Sequence, residues 1–140
     1  MNTSVQLLAT AQRGLTAAAM AERPAERYAQ AHLAALRAAA AVLAARANPI
    51  SGQSISGQSI SGQRSRPRSV WVLLVKVAPQ LSEWAQFFAA GSAKRSLAQA
   101  GVPVVTAREA DDLLRDAQRF YDQTAALLNA SGQEFLPATG

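Results

Sequence analysis

Cysteine is absent from this chain of 140 residues, and histidine occurs once, as His32. The lack of cysteine excludes disulfide bonds, thiolate metal sites and a cysteine nucleophile, and it is typical of proteins in a reducing cytoplasm. The single histidine means that any Ser–His–acid triad would have to use His32, and no serine stands in a G-x-S-x-G context. We therefore expect a cytoplasmic protein for which few classes of enzyme remain open.

Sequence signals for bound metals and cofactors are also missing. A di-metal helical bundle uses Glu-x-x-His pairs, but the residue three before His32 is Ala29. No glycine-rich loop ends in the Lys-Ser/Thr pair that binds nucleotide phosphates. The acidic cluster Asp111, Asp112 and Asp116 has arginines at helical spacing, so we expect ion pairs there and no metal or cofactor. The predicted pairs are Arg108–Asp112 and Arg115–Asp111.

Long hydrophobic runs are lacking too. The longest uninterrupted apolar runs, residues 38–45 and 70–75, are far shorter than the ~20 residues that a transmembrane helix needs. The N-terminus has no basic region before its short apolar stretch, so it does not resemble a secretory signal. The sequence therefore predicts no association with a membrane.

Apolar residues instead recur at helical spacing. The longest pattern lies in the segment that contains both tryptophans, and its 4-3 spacing predicts a packed helix at the centre of the core. Pro79 falls inside this pattern, and because the spacing continues across it, we expect a kink in one helix. The residues of the pattern are Val70, Leu74, Val77, Leu81, Trp84 and Phe88.

Further helices are expected at about 4–20, 25–47, 92–101 and from 106 onward. Pro24 can begin the second helix, and Thr106 with Glu109 forms a capping box for the last. The first helix should bury Val5, Leu8, Leu15 and Ala19. The second should be central, because two adjacent stripes are apolar. These stripes are Tyr28/His32/Ala35/Ala39/Val42 and Leu33/Leu36/Ala40/Leu43.

A serine-, glycine- and glutamine-rich repeat separates the second and third helices. The unit ISGQS occurs at 50–54 and 55–59, and segments of this composition bury too little surface to order themselves. We therefore expect an all-α, up-and-down bundle of four to five helices. It would form a single domain over residues 4–129, with a long disordered loop at 48–68 and a disordered tail at 130–140. The loop ends in a basic cluster that could contact phosphate: Arg64, Arg66 and Arg68.

Three segments of the chain resemble an actinobacterial branch of the HEPN superfamily (higher eukaryote and prokaryote nucleotide-binding domains). They are ERYAQAHLAALRAAAAVLAARA, SVWVLLVKVAPQLSEWAQFFAAGSAKR and TAREADDLLRDAQRFYDQTAALL, and the resemblance covers roughly residues 5–128. It implies a helical bundle that often forms a homodimer. Many HEPN proteins are metal-independent ribonucleases with an Arg-x(4–6)-His motif. Carried over to this chain, the motif implies that Arg27 would hold the scissile phosphate and that His32 would be the acid or base.

Three functional hypotheses remain open. The first is a non-enzymatic HEPN-like bundle that self-associates and binds RNA, a nucleotide or a protein partner. The second is a metal-independent RNA endonuclease, in a toxin or defence role, that uses Arg27 and His32. The third is a small helical scaffold with no nucleic-acid role. Helix geometry favours structural roles for both residues, because five residues rotate through about 140°. Arg27 would then face solvent, and His32 would join the apolar stripe.

Overall fold

The computed structural model describes the backbone of residues 3–62 and 68–134 and the side chains of residues 3–46 and 70–129. Within these residues every regular element is helical and no strand occurs, which confirms the all-α prediction. No helix in this part of the chain is long and apolar enough to cross a bilayer. The elements are α1 (Thr3–Met20), α2 (Pro24–Gly62), α3 (Arg68–Val77), a 3-10 turn (Pro79–Leu81), α4 (Ser82–Ala90), α5 (Ser92–Gln99) and α6 (Ala107–Glu134).

Helix α1 packs closely along α2 through small residues. A Cβ placed on Gly14 would lie 3.3 Å from the Cβ of Ala34, so glycine allows the two backbones to approach. This contact rotates α1 away from the predicted orientation. Leu15 is buried as expected, but Val5 is 59% exposed and Ala19 is exposed. The buried residues of α1 are instead Ser4, Ala11, Leu15 and Ala18.

Helix α2 is the central helix, as predicted. It begins at Pro24, whose fixed φ suits a first helical position, and it packs against α1, α3, α5 and α6. Every residue of its first apolar stripe is buried: Tyr28, His32, Ala35, Ala39 and Val42. The residues of the second stripe are half-buried: Leu33, Leu36, Ala40 and Leu43.

The serine- and glycine-rich segment follows the described side chains of α2. The helical backbone extends to Gly62, past the end near Ala47 that the sequence predicts. No side chain of residues 47–69 is described, and neither is the backbone of 63–67. The disorder expected at 48–68 therefore concerns residues outside the described side chains and stays a prediction. The same holds for the tail at 130–140, although the backbone of α6 is helical to Glu134.

Helices α3 and α4 form an antiparallel hairpin, so the prediction of one kinked helix is wrong. The rings of Trp71 and Phe88 stack with centroids 5.3 Å apart. In one continuous helix these residues would be separated by about 25 Å. The chain leaves the helical conformation at Ala78 (φ −143°, ψ 73°). The cause is Pro79, which disfavours helical dihedrals in the residue before it and lacks an N–H.

The buried residues of the α3–α4 hairpin are spaced as in a helix, but only some of them belong to the stripe predicted from the sequence. Leu74, Leu81 and Phe88 belong to both, whereas Val70, Val77 and Trp84 are only half-buried. The remaining buried positions follow from the reversal of the chain at Pro79, because the inner faces of α3 and α4 must both point toward α2 and α6. The full buried set of the hairpin is Trp71, Leu74, Ala78, Leu81, Ala85 and Phe88.

The last two helices match the sequence prediction closely. Helix α5 ends before Gly101, which has a positive φ of 90° and so suits glycine. Thr106 and Glu109 form the predicted capping box. The Glu109 N–H donates to Thr106 Oγ1 (3.0 Å), and the Thr106 N–H donates to Glu109 Oε1 (2.9 Å). The buried residues of α6 join a single apolar cluster with those of the other helices: Ala110, Leu113, Ala117 and Phe120.

The two tryptophans should differ in their contribution to stability. Trp71 is 2% exposed, so Trp71→Ala should lower the free energy of unfolding by about 3–5 kcal/mol. Trp84 is half-buried and its Nε1–H donates to Gln123 Oε1, so Trp84→Ala should cost less. Urea unfolding followed by circular dichroism would measure both. A larger loss for Trp84→Ala would contradict the hairpin's buried face.

Candidate functional site

His32 lies inside the bundle and bonds to the last turn of α4. It is 1% exposed, and its Nε2 lies 2.7 Å from the carbonyl oxygen of Phe88. Since a carbonyl can only accept, Nε2 carries the proton and donates it. The carbonyl groups in the last turn of a helix have no partner within that helix. Phe88 O accepts bonds from the Gly91 N–H (3.1 Å), from the Ser92 hydroxyl (3.5 Å) and from His32, so the imidazole helps to cap α4.

The surroundings of the imidazole are mostly aromatic. The ring of Tyr28 lies nearly parallel to it at 6.4 Å, and the rings of Trp71 and Phe88 meet it edge-on at 6.2 and 5.7 Å. Nδ1 of His32 is buried and has no hydrogen-bond partner. Burial lowers the pKa of His32, the bond to Phe88 O opposes this shift, and the charge of Arg95 adds to it. The imidazole is therefore neutral at pH 7.

The corner between α4 and α5 comes close to α2 at Gly91. A Cβ on Gly91 would lie 3.0 Å from the Tyr28 hydroxyl and 3.6 Å from His32 Nε2 and Cδ2. A larger residue at this corner would require the Tyr28 side chain to shift, so glycine suits the close approach. Burial raises the pKa of Tyr28, whereas the nearby charge of Lys94 opposes the shift.

An ion pair joins α5 to the start of α6 beside Tyr28. Lys94 Nζ donates to Glu109 Oε2 over 2.8 Å. The hydrogen bond between them raises the pKa of Lys94 and lowers the pKa of Glu109, and the Thr106 N–H also lowers the latter. Because both groups are exposed, the pair orients α5 and adds little to stability.

The prediction that the side chain of Arg27 faces solvent is wrong. Its Nε donates to Ala18 O (3.2 Å), one terminal nitrogen donates to Ala21 O (2.7 Å), and the other binds the carboxylate of Asp111. The cause is the tight turn after α1, which brings Ala18 O at the end of that helix and Ala21 O just past it to the first turn of α2. Arg27 thus caps α1 and ties it to α6, with its side chain 26% exposed.

The structure places Arg27 and His32 in different surroundings. The guanidinium of Arg27 contacts the end of α1 and the start of α6, whereas the imidazole of His32 contacts the end of α4. The rotation of about 140° between the two positions explains the separation. Both groups already have partners within the chain, and His32 is enclosed. They form no common exposed cleft in the described part of this chain.

The acidic cluster of α6 consists of ion pairs. Asp112 pairs with Arg108 (3.9 Å), as predicted, and also with Arg115 (3.4 Å). The predicted bond from Arg115 to Asp111 does not form, because Asp111 turns toward Arg27 on α2. Among the described residues there is no group of three or more side chains that could hold a metal ion.

The predicted phosphate contacts cannot be placed in this site. Arg64 and Arg66 lie outside the described residues, and Arg68 begins α3 but its side chain is not described. Sequence reasoning missed Gly91, Lys94 and Arg95 as neighbours of the α2 residues. Gly91 has the clearest sequence signal, as a glycine between two helical segments, but its contact with Tyr28 depends on the tertiary fold.

A substitution at Gly91 tests how closely the α4–α5 corner approaches Tyr28 of α2. Gly91→Ala should lower the melting temperature, because the new methyl group meets the Tyr28 hydroxyl at 3.0 Å. Tyr28→Phe removes that oxygen and should restore part of the loss in the double variant. A thermal-melt double-mutant cycle would measure the coupling. Additive effects of the two substitutions would contradict the close approach.

Comparison with known proteins agrees with this architecture. The family model described as SAV_6107-like HEPN matches residues 18–125, from the end of α1 into α6. No curated protein and no solved structure matches the chain. The matched range contains both Arg27 with its partner Asp111 and His32 with its partner Phe88. Since the match covers well over half of the chain, this protein belongs to the SAV_6107-like HEPN family.

Proposed function

We propose that this HEPN protein acts in the cytoplasm by binding a second copy of itself and a further partner, and not by catalysis. The observation that carries the proposal is the enclosure of His32, which is 1% exposed and bonded to Phe88 O. The partner classes that fit are RNA, a nucleotide and a protein.

Catalysis by the Arg–His pair would need both groups to reach one substrate. A metal-independent ribonuclease uses the imidazole to move the proton of a 2′-hydroxyl and the guanidinium to hold the phosphate. His32 would have to leave Phe88 O and open the aromatic cluster around it. Arg27 would have to release Asp111 and the carbonyls of α1. The chain's own contacts therefore favour structural roles for both residues.

An apolar surface of the α3–α4 hairpin supports self-association. Val72, Leu73 and Phe87 are 54%, 46% and 45% exposed. The stacking of Trp71 on Phe88 brings the start of α3 beside the end of α4, so these three residues lie at the same end of the hairpin. We call them the hairpin patch. Exposed apolar residues grouped in this way are typical of protein–protein contact sites.

The charge of the chain supports a polyanionic partner. The net charge is +5, and residues 1–68 contain eight arginines but only two acidic residues. An excess of arginine attracts the phosphates of RNA and makes binding weaken as salt rises. A protein partner held by the hairpin patch would instead bind with little dependence on salt. The two partner classes can thus be separated by one titration.

RNA cleavage should be absent. We expect a single-stranded RNA to stay intact with the wild-type protein in EDTA, and also with His32→Ala, Arg27→Ala and the exposed control Arg23→Ala. Denaturing gels measure cleavage, and fluorescence anisotropy on the same RNA at 50 and 200 mM salt measures binding. Affinity that falls with salt supports RNA as the partner.

Two results would replace this proposal. Cleavage that disappears in His32→Ala and Arg27→Ala but persists in Arg23→Ala, with circular dichroism unchanged, would establish the ribonuclease alternative. The absence of both cleavage and binding, together with a monomeric state, would favour a scaffold without a nucleic-acid role.

Self-association should depend on the hairpin patch. We expect sedimentation velocity to show a dimer for the wild type and a shift toward monomer for Leu73→Lys and Phe87→Lys, because a buried lysine would lack a partner. Val102→Lys is the matched control, since Val102 is an exposed apolar residue of the connector before α6. A dimer that survives both hairpin substitutions would show that another surface associates.

A further inference from the structure

The contact of His32 with α4 is the bond that joins α2 to the α4–α5 corner. Phe88 O is three residues before Gly91, and Gly91 itself lies against His32 and Tyr28. Helix α5 follows at once and has one buried residue, Ala98. The corner and α5 thus contribute little buried apolar surface to the core, which is typical of segments that open locally without global unfolding.

Nδ1 of His32 has no hydrogen-bond partner among the described residues. From α2, α3 and α4 the neighbouring groups are the rings of Tyr28, Trp71 and Phe88. From α5 the charge of Arg95 acts on His32, and the charge of Lys94 acts on the adjacent Tyr28. Glu109 of α6, whose charge acts on Tyr28, already accepts from Lys94 and from the Thr106 N–H.

Protonation of Nδ1 would therefore create a buried cation with an unpaired donor. Such a group costs far more free energy inside a protein than in water. The positive charge of Arg95, which acts directly on His32, adds repulsion. The unfavourable state is relieved when water reaches Nδ1, and water enters once the α4–α5 corner moves away from α2.

We propose that His32 is an acid-sensitive latch between α2 and the α4–α5 corner. At neutral pH the latch is closed, and the Nε2–H of His32 donates a hydrogen bond to Phe88 O. Uptake of one proton at Nδ1 opens it and releases α5, while α1, the first part of α2 and α6 remain packed. This device is separate from the proposed binding function and does not depend on it.

The direction of the pH dependence follows from linkage. Because burial lowers the pKa of His32 in the folded state, the unfolded or opened state binds the proton more readily. The latch is fully stable above the ordinary histidine pKa of roughly 6.5 and is lost as pH falls below it. Below that pH, each fall of one pH unit raises the equilibrium constant for an opening that takes up one proton by about tenfold.

Two measurements on the full chain test the latch. Since His32 is the one histidine, its ring signals in an NMR titration are assigned without ambiguity. Hydrogen exchange, corrected for intrinsic rates, reports the amides of α5. We expect ring protonation centred below pH 6.5. Over the same range the protection of the Arg95 amide should fall by up to tenfold per pH unit, while the amides in the middle of α6 keep theirs.

Two variants separate the latch from general acid unfolding. His32→Gln keeps an N–H that can donate to Phe88 O but does not titrate, so the protection of α5 should no longer depend on pH. Arg95→Gln removes the neighbouring cation and should raise the midpoint of His32, whereas the exposed Arg23→Gln should leave it unchanged. The proposal is overturned if the ring of His32 titrates while α5 stays protected. It is also overturned if α5 and α6 lose protection together.

Discussion

Close approach of other helices to α2 is the constraint on which the rest of the structure depends. Its inward positions are mostly alanines that are fully buried, and glycines face it from two sides. Gly14 lets α1 approach Ala34, and Gly91 lets the α4–α5 corner approach Tyr28 and His32. The large aromatic side chains of α3, α4 and α6 pack together, with Phe88 in contact with both Trp71 and Phe120.

The two polar anchors of α2 follow from that proximity. Because α1 lies tightly against α2, its last carbonyls come within reach of Arg27, which also binds Asp111 of α6. Because Gly91 has no side chain, the end of α4 comes within reach of His32. Each anchor donates a further hydrogen bond to a carbonyl at a helix end, Ala18 O for Arg27 and Phe88 O for His32. An arginine and a histidine at this spacing thus bind different neighbours of one central helix.

The sequence predicts the helices well, because their signals are local. The capping box at Thr106 and Glu109 and the buried stripe of α2 depend on spacing alone. The fold at Pro79 could not be predicted in this way, because a 4-3 pattern fits both a kinked helix and a hairpin whose two helices face one core. Only the long-range contact of Trp71 with Phe88 distinguishes them. Arg27 was likewise misplaced, since its partners come from α1 and α6.

These tertiary contacts also change how the Arg-x(4)-His spacing should be interpreted in this chain. Replacement of Arg27 would remove its bonds to Ala18 O, Ala21 O and the carboxylate of Asp111, and replacement of His32 would leave Phe88 O with one bond fewer. Either change would loosen a helix end, so a loss of function in these variants would follow from a structural role as readily as from a catalytic one. Only an activity that disappears while α1, α5 and α6 remain packed would assign chemistry to the pair.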